Sequence, residues 1–131
     1  MTTPKLGLSK TLQTDFETAE TQITAALKAE GFGILTEIDV TATFKKKLDI
    51  DFQPYKILGA CNPKLAHQAL TLTGDVGMLL PCNVTLTQTE DNTITISIID
   101  PEQMLGVIDD PQLNALACDA KERLERALAA V

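Results

Sequence analysis

Residues 82–99 read CNVTLTQTEDNTITISII, and this stretch contains the clearest alternating pattern in the sequence. Isoleucine alternates with hydroxyl-bearing residues through 93–98, which is the pattern of a strand with one buried face. Residues 82–87 alternate in the same way, and the polar segment 90–92 between the two runs predicts a turn. The stretch therefore predicts an antiparallel β-hairpin. The residues expected in its core are Ile94, Ile96 and Ile98.

Upstream of the hairpin the sequence predicts further strands. Residues 33–39 alternate and are rich in β-branched side chains, and residues 53–61 run extended from a proline. Apolar residues at positions 6 and 8 give a weaker strand signal over 5–10. The apolar run 76–80 ends at Pro81, and we interpret this run as an apolar edge of the sheet.

Helices are predicted where apolar residues recur at helical spacing behind a capping residue. Thr14 and Glu17 form a capping box for the first helix, and Gly31 stands where a left-handed C-cap belongs. Asp39 and Asn62 cap the second and third helices. The last helix carries one apolar stripe, so we expect it to pack on the core. The predicted helices are 15–30, 40–48, 63–73, a short turn at 101–105, and 111–131.

The composition is that of an ordinary globular domain. Hydrophobic residues make up 44% of the 131 residues and charged residues 22%, so we expect a single domain over 1–131. Eleven lysines and arginines against eighteen acidic residues give a net charge of −7. Nucleic acids and anionic membrane surfaces both require clustered positive charge, so neither is expected as a partner. The one basic run, 45–47, is explained by a helix C-terminus.

The N-terminus and the cysteines point to the cytoplasm. The N-terminal residues contain no apolar run of the length of a signal-peptide core, and no segment approaches the ~18 apolar residues of a membrane-spanning helix. The cysteines at positions 61, 82 and 118 are an odd number, which fits a reducing compartment better than a disulfide framework. Cys118 borders the apolar stripe of the last helix, and we interpret it as a packing residue.

Four stretches carry a resemblance to a known family. They are GFGILTEIDV at 31–40, YKILGACNP at 55–63, LLPCNV at 79–84, and Asp100-Pro101 followed by MLG at 104–106. Their order and content resemble the domain of unknown function 302 family from about residue 8 to the C-terminus. The resemblance implies an α+β domain of TATA-box-binding-protein-like type, β-α-β(4)-α, with an antiparallel sheet, helices packed on one face and a tendency to form homodimers. It implies no established biochemistry and therefore no catalytic residue.

The candidate site is a pair of Cys-Asn steps. Cys61-Asn62 leaves one predicted strand and Cys82-Asn83 enters another, and antiparallel pairing can bring the end of one strand beside the beginning of another. Cys61 also precedes a helix N-terminus, whose dipole can lower the pKa of a thiol and activate it. The alternative is that both cysteines are small buried hydrophobic residues. Asn62 caps a helix, whereas Asn83 has no local role and can orient a ligand.

His67 and Glu37 are the other candidate ligands. His67 is the only histidine. With the two cysteines it could provide three ligands to a soft metal, and Glu37 or a water could be the fourth, although the spacing lacks the Cys-x-x-Cys knuckle of structural zinc sites. The alternative for His67 is a half-exposed helix residue. Glu37 and Asp39 share a strand face and could divide acid and base roles, but a cap at Asp39 and a solvent or dimer-interface charge at Glu37 explain them as well.

These observations support two hypotheses about function. In the first, the chain is a small-ligand, metal or sulfur-handling protein whose cleft is lined by the two Cys-Asn steps, with Glu37 and His67 nearby. In the second, it is a non-catalytic homodimeric interaction module in which the Cys-Asn motifs are structural. The sequence has no Ser-His-Asp order, no phosphate-binding glycine loop and no dinucleotide fingerprint. No cofactor or catalytic residue is therefore assigned, and enzymatic activity has less support than either hypothesis.

Overall fold

The hairpin predicted from residues 82–99 forms part of a five-stranded sheet in the computed structural model, which describes residues 6–131. The strands are β1 (Gly7–Gln13), β2 (Gly33–Asp39), β3 (Tyr55–Cys61), β4 (Cys82–Glu90) and β5 (Thr93–Ile99). The α-helices are α1 (Phe16–Ala29), α2 (Val40–Leu48), α3 (Pro63–Leu72), α4 (Pro101–Leu105) and α5 (Pro111–Ala129). Residues 1–5, on which the signal-peptide argument and the start of the weak strand signal rest, lie outside the described residues.

The sheet has the strand order β1-β5-β4-β3-β2, and all neighbouring strands are antiparallel. The weak strand signal near the N-terminus is therefore real, since β1 pairs with β5 over its whole length. This arrangement confirms the α+β fold that the resemblance implies. Within residues 6–131, no helix is both long enough and apolar enough to cross a membrane.

Helices α1 and α5 cover one face of the sheet. The three isoleucines predicted to face the core, Ile94, Ile96 and Ile98, are fully buried on this face. Burial of each large apolar side chain contributes roughly 1.5–3 kcal/mol, so this layer is the main source of stability. The same core includes Ala19, Ile23 and Leu27 of α1, Leu58 of β3, Val84 and Leu86 of β4, and Leu124 of α5.

A second apolar cluster joins α3, α4 and α5 to the segment before β4. Its buried members are Ala69, Val76, Leu105, Leu113 and Ala117. The interpretation of 76–80 as a sheet edge is wrong, because Gly74–Met78 is a turn of 3-10 helix that buries Val76 and leaves Met78 80% exposed. An apolar run without a clear period fits a short helix as well as a strand. The edges of the sheet are β1 and β2.

The predicted helix caps are present, but the cap of α1 lies one residue later in the sequence than predicted. Asp39 begins α2 and accepts a hydrogen bond from the N–H of Ala42 at 2.9 Å. The cap of α1 is Asp15 and not Thr14. Its carboxylate accepts from the N–H of Thr18 at 2.7 Å, and this bond lowers the pKa of Asp15. The capping box is therefore wrong by one residue, because the aspartate next to the helix reaches the free N–H groups first.

The face of the sheet opposite α1 and α5 carries hydroxyl-bearing side chains. Ser9 Oγ and Ser97 Oγ lie 2.8 Å apart across β1 and β5. Helix α2 contributes no buried residue to the protein and lies beside β2 and β3, where the ring of Phe44 meets the edge of Phe52 at 5.2 Å between centroids. Most of this polar face is therefore left open.

Candidate functional site

The residues predicted to line one cleft are distributed over several places. Cys61, Asn62 and Cys82 line one small cavity, whereas Asn83 lies on the open polar face of the sheet. Neighbouring residues of a strand point to opposite faces, and Cys82 and Asn83 accordingly line different spaces. The predicted histidine and glutamate line neither space.

The small cavity lies where β3 ends and β4 begins, against α3, α4 and α5. Cys82 is directly opposite Ala60 in the ladder, and Cys61 is the next residue of β3, so the two cysteines lie close together as the antiparallel argument predicts. The cavity measures about 40 Å³. A single water needs about 10–15 Å³, so an ion or a few atoms fit and an organic ligand does not. The apolar wall includes Phe32, Leu65, Ala69, Leu80, Met104, Leu105 and Leu116.

Burial raises the pKa of both thiols that line this cavity. It raises the pKa of Cys61, and it raises the pKa of Cys82 to about 11, with a further contribution from the negative charge of a Cys61 thiolate. A helix N-terminus is expected to lower the pKa of Cys61, but burial of the thiol raises it instead. Asn62 holds the N-cap position of α3 as predicted, and its Oδ1 accepts from the N–H of Leu65 at 3.2 Å. Protonated thiols are poor nucleophiles, so the site does not favour thiol catalysis.

Asn62 is buried, and in addition to capping α3 it packs against Gly31 at the end of α1. Its Nδ2 lies 2.9 Å from the position that a Cβ would take at Gly31. Gly31 has a φ of 87° and follows α1, and the N–H of Phe32 donates to the carbonyl of Leu27 at 2.9 Å. These bonds confirm the C-cap predicted at Gly31. Asn62 therefore joins the end of α1 to the start of α3.

The predicted four-ligand metal site is not formed. His67 is exposed on α3, in agreement with its simpler interpretation. Glu37 Oε1 lies 2.6 Å from Lys56 Nζ, and the same ammonium lies 2.9 Å from Glu20 Oε1. Hydrogen bonds to Glu37 and then Glu20 raise the pKa of Lys56. Across the described residues, no three or more His, Cys, Asp and Glu side chains lie together in a group that could hold a metal ion.

Cys118 is exposed on α5, so its interpretation as a packing residue is wrong. It precedes Asp119 and follows Ala117, which is fully buried. One residue along a helix is a rotation of about 100°, which is enough to move a side chain from the core to the surface. The cysteine at the edge of the stripe therefore lies on the solvent side.

A much larger concavity opens on the polar face of the sheet and measures about 970 Å³. The strand registers place several of its polar lining residues side by side, with Ser9 opposite Ser97 and Ser97 opposite Thr85. The polar lining residues on this face are Ser9, Tyr55, Asn83, Thr85 and Ser97. Apolar residues that also line the space are Leu6, Leu79, Pro81, Ile99 and Met104.

Three of these polar side chains have no hydrogen-bond partner within residues 6–131. Within residues 6–131, the amide of Asn83 and the hydroxyls of Thr85 and Tyr55 make no hydrogen bond to another protein group. Ser9 and Ser97, which also line the concavity, bond to each other, and the Asn62 side chain caps α3. The concavity therefore presents free hydrogen-bonding groups next to apolar side chains.

Gly59 lies behind Pro81, which lines one wall of the concavity. It lies opposite Asn83, and a Cβ at this position would overlap Thr36 Oγ1 and come within 2.7 Å of Pro81 Cγ. Any larger residue would push away Pro81, which lines the concavity. The glycine of the GACN stretch is thus required because Thr36 of β2 and Pro81, the residue before β4, both pack closely against this position of β3.

The concavity itself was not predicted from the sequence. The alternation of hydroxyl residues and isoleucine within 82–99 indicates a polar face but not the shape of that face. The shape arises only when separate segments of the chain come together, for example Ser9 beside Ser97, and Tyr55 on the strand next to Thr85.

Comparison with protein families matches residues 8–131 to "Domain of unknown function DUF302". The curated proteins contain no match to the chain. Among solved structures, the chain is similar to an uncharacterized conserved protein DUF302 from Bacillus stearothermophilus, with 32% sequence identity and a TM-score of 0.87. That match covers 95% of this chain and 97% of the other. The family match includes all of the residues considered above as site candidates.

Proposed function

The chain belongs to the DUF302 family, and we propose that it is a binding protein for a small uncharged organic molecule, which lies in the concavity on the polar face of the sheet. The observation that carries the proposal is the set of free groups on Asn83, Thr85 and Tyr55, which line this space without a partner within residues 6–131. A few polar groups in a largely apolar concave space are what fixes the orientation of a bound small molecule.

Volume favours the concavity over the cysteine-lined cavity as the place for an organic ligand. Binding sites for small molecules occupy roughly 300–1,000 Å³. The concavity measures about 970 Å³ and the cavity about 40 Å³. Of the two Cys-Asn steps, only Asn83 therefore belongs to the proposed ligand site.

The charges at the concavity favour an uncharged ligand. Among the described residues, Lys10 and Glu125 are the charged ones that line it, at the β1 side. Lys10 Nζ donates to the backbone oxygens of Leu128 and Val131, so two of its N–H groups are already engaged. The remaining lining groups are hydroxyls, one amide and apolar side chains. A neutral molecule with one apolar part and one hydrogen-bonding part matches this surface.

The test uses neutral aromatic fragments that carry an amide or a hydroxyl, such as benzamides and phenols, and measures their binding by ligand-observed NMR. Asn83→Leu removes the free amide and fills part of the space, and Asn114→Leu makes the same change at an exposed α5 position outside it. We expect fragments that bind the wild type and Asn114→Leu to bind Asn83→Leu about tenfold more weakly. Equal binding by all three proteins, or no binding of any fragment, would contradict the proposal.

A second candidate, the homodimeric interaction module, is favoured by the edge strand β2. Leu35 is 67% exposed and Ile38 49% exposed on this strand. An edge strand offers backbone N–H and C=O groups to another strand, and exposed apolar side chains strengthen such pairing. We propose that β2 of one copy pairs with β2 of a second copy.

Sedimentation at micromolar concentration separates this candidate from ligand binding. We expect a dimer for the wild type and a monomer for Ile38→Lys, because a lysine on the edge opposes pairing. Val107→Lys replaces another exposed apolar residue and serves as the control. A wild-type monomer, or a dimer that survives Ile38→Lys, would exclude β2 pairing and leave the ligand site unaffected.

We also infer a reducing, cytoplasmic setting from the cysteines. Cys61, Cys82 and Cys118 are all free, although the first two lie close together. Disulfides form and persist mainly in oxidising compartments. Cell fractionation with compartment markers tests the location, and recovery of the protein outside the cytoplasmic fraction would contradict it.

A further inference from the structure

Three sulfur-bearing side chains line the small cavity. Cys61 comes from the end of β3, Cys82 from the start of β4, and Met104 from α4. The group does not depend on His67 or Glu37. Met104 is partly buried and also borders the concavity, so it lies between the two spaces.

The position of Met104 is held by Asp100, which begins α4. Asp100 Oδ1 accepts from the N–H of Glu102 at 2.9 Å, and its Oδ2 lies 3.0 Å from Lys121 Nζ on α5. Its own N–H donates to the carbonyl of Leu6 at 3.1 Å, beside β1. Helix α4 is therefore fixed at its start to two other parts of the fold, which limits the movement of Met104.

The rest of the cavity wall offers little to a hard cation. Apart from the sulfur residues, its side chains are apolar, with the exception of Asn62. The Asn62 oxygen already accepts a hydrogen bond from the N–H of Leu65. None of the described residues that line it carries a carboxylate or an imidazole, the groups that suit Mg²⁺, Ca²⁺ and Zn²⁺. The volume of about 40 Å³ has room for a single ion.

We propose that Cys61, Cys82 and Met104 form a three-sulfur site for one Cu(I) ion. Thiolate and thioether sulfur are the soft ligands that select Cu(I), whereas Zn²⁺ in structural sites takes four ligands. On binding, each cysteine releases its proton to solvent, two thiolate–copper bonds and one thioether–copper bond form, and copper remains Cu(I). This site is separate from the concavity and does not rest on the proposed organic ligand.

The test is a titration of the reduced full chain with Cu(I) under nitrogen, in competition with a chromogenic Cu(I) chelator. We expect one Cu(I) per chain, with only sulfur neighbours in X-ray absorption. Met104→Leu removes the thioether and keeps the volume, and it lowers the affinity for Cu(I) by about tenfold or more. Cys82→Ala abolishes the binding. The controls are Met78→Leu and Cys118→Ala, whose residues are exposed and lie outside the cavity.

Because Cys82 is buried, Cys82→Ala can lose stability. The decisive comparison is then Met104→Leu, once circular dichroism shows that Met104→Leu is folded. Equal Cu(I) affinity in Met104→Leu and Met78→Leu overturns the three-sulfur site. Loss of binding in Cys118→Ala shows a surface thiol adduct and overturns it as well. The absence of any bound Cu(I) in the wild type, or oxygen or nitrogen neighbours in its X-ray absorption, does the same.

Discussion

The side-chain amide of Asn62 packs against Gly31, so that a Cβ at residue 31 would lie 2.9 Å from Asn62 Nδ2. This contact connects two of the stretches on which the family resemblance rests, 31–40 and 55–63. It shows that the asparagine of the first Cys-Asn step has a structural role: it caps α3 and packs against the end of α1.

Gly31→Ala is expected to lower the free energy of unfolding by about 1–3 kcal/mol, because alanine is strained at positive φ and its Cβ meets Asn62. Gly33→Ala is the matched control, since a Cβ there meets nothing within 4 Å. Urea unfolding of both variants measures the difference. Equal stability of the two variants would refute the importance of the Gly31–Asn62 contact.

The three cysteines are expected to react with a thiol probe in the order Cys118, Cys61, Cys82. Cys118 is exposed to the probe, whereas Cys61 and Cys82 are shielded and burial raises the pKa of Cys61 and raises that of Cys82 to about 11, so these two thiols hold little reactive thiolate. Mass spectrometry of peptides after brief labelling of the native protein gives the order. Faster labelling of Cys61 or Cys82 than of Cys118 would show an activated thiol.

The raised pKa of Cys82 also predicts that the protein loses stability at high pH. Its pKa is about 11 in the folded chain, and an unfolded cysteine titrates near pH ~8.5. Between these values the folded state holds the proton that the unfolded state has lost, so the free energy of unfolding decreases as pH rises. The contribution is complete below about pH 8.5 and its loss reaches about 3 kcal/mol near pH 11.

Urea unfolding of the wild type and Cys82→Ala between about pH 8 and 11 isolates the contribution of Cys82 to the pH dependence of stability. The wild type should lose more stability than the variant over that interval, because tyrosine and lysine titrations are common to both. Parallel curves for the two proteins would mean that the Cys82 thiol is not shielded from solvent.

Much of the fold follows from local pattern. The alternation in 93–98 identifies Ile94, Ile96 and Ile98 as core residues, and Asp39 and Asn62 identify two helix starts. The prediction of a sheet edge at 76–80 is wrong because an apolar run has no period that distinguishes a strand from a short helix. Its conformation depends on the apolar cluster around Val76, three of whose members, Leu105, Leu113 and Ala117, lie far away in the sequence.

The site could be predicted only in part. Antiparallel pairing correctly brings Cys61 near Cys82, but strand alternation places Asn83 on the other face, and the two Cys-Asn steps therefore separate. Met104 carries no local sign of its position. Its approach to the cavity depends on Asp100, which binds Lys121 on a later helix.

Leu124→Ala is expected to cost about 2–5 kcal/mol, because Leu124 is fully buried between α5 and the sheet and its truncation leaves a cavity. Leu48→Ala, at a residue that is 61% exposed on α2, should change stability by about 0.5 kcal/mol or less. Thermal unfolding monitored by circular dichroism compares them. A small loss of stability in Leu124→Ala would show that the apolar stripe of α5 is not part of the core.

The most direct measurement for the proposed function is the map of backbone amide shifts in the ¹⁵N-labelled protein on titration with a bound neutral fragment. We expect the largest shifts at Asn83, Thr85, Ser97 and Tyr55, which line the concavity. We also expect Asn83→Leu to remove these shifts and Asn114→Leu to retain them. Shifts centred on α3 and α4, or shifts that persist unchanged in Asn83→Leu, would contradict the placement of the ligand on the polar face of the sheet.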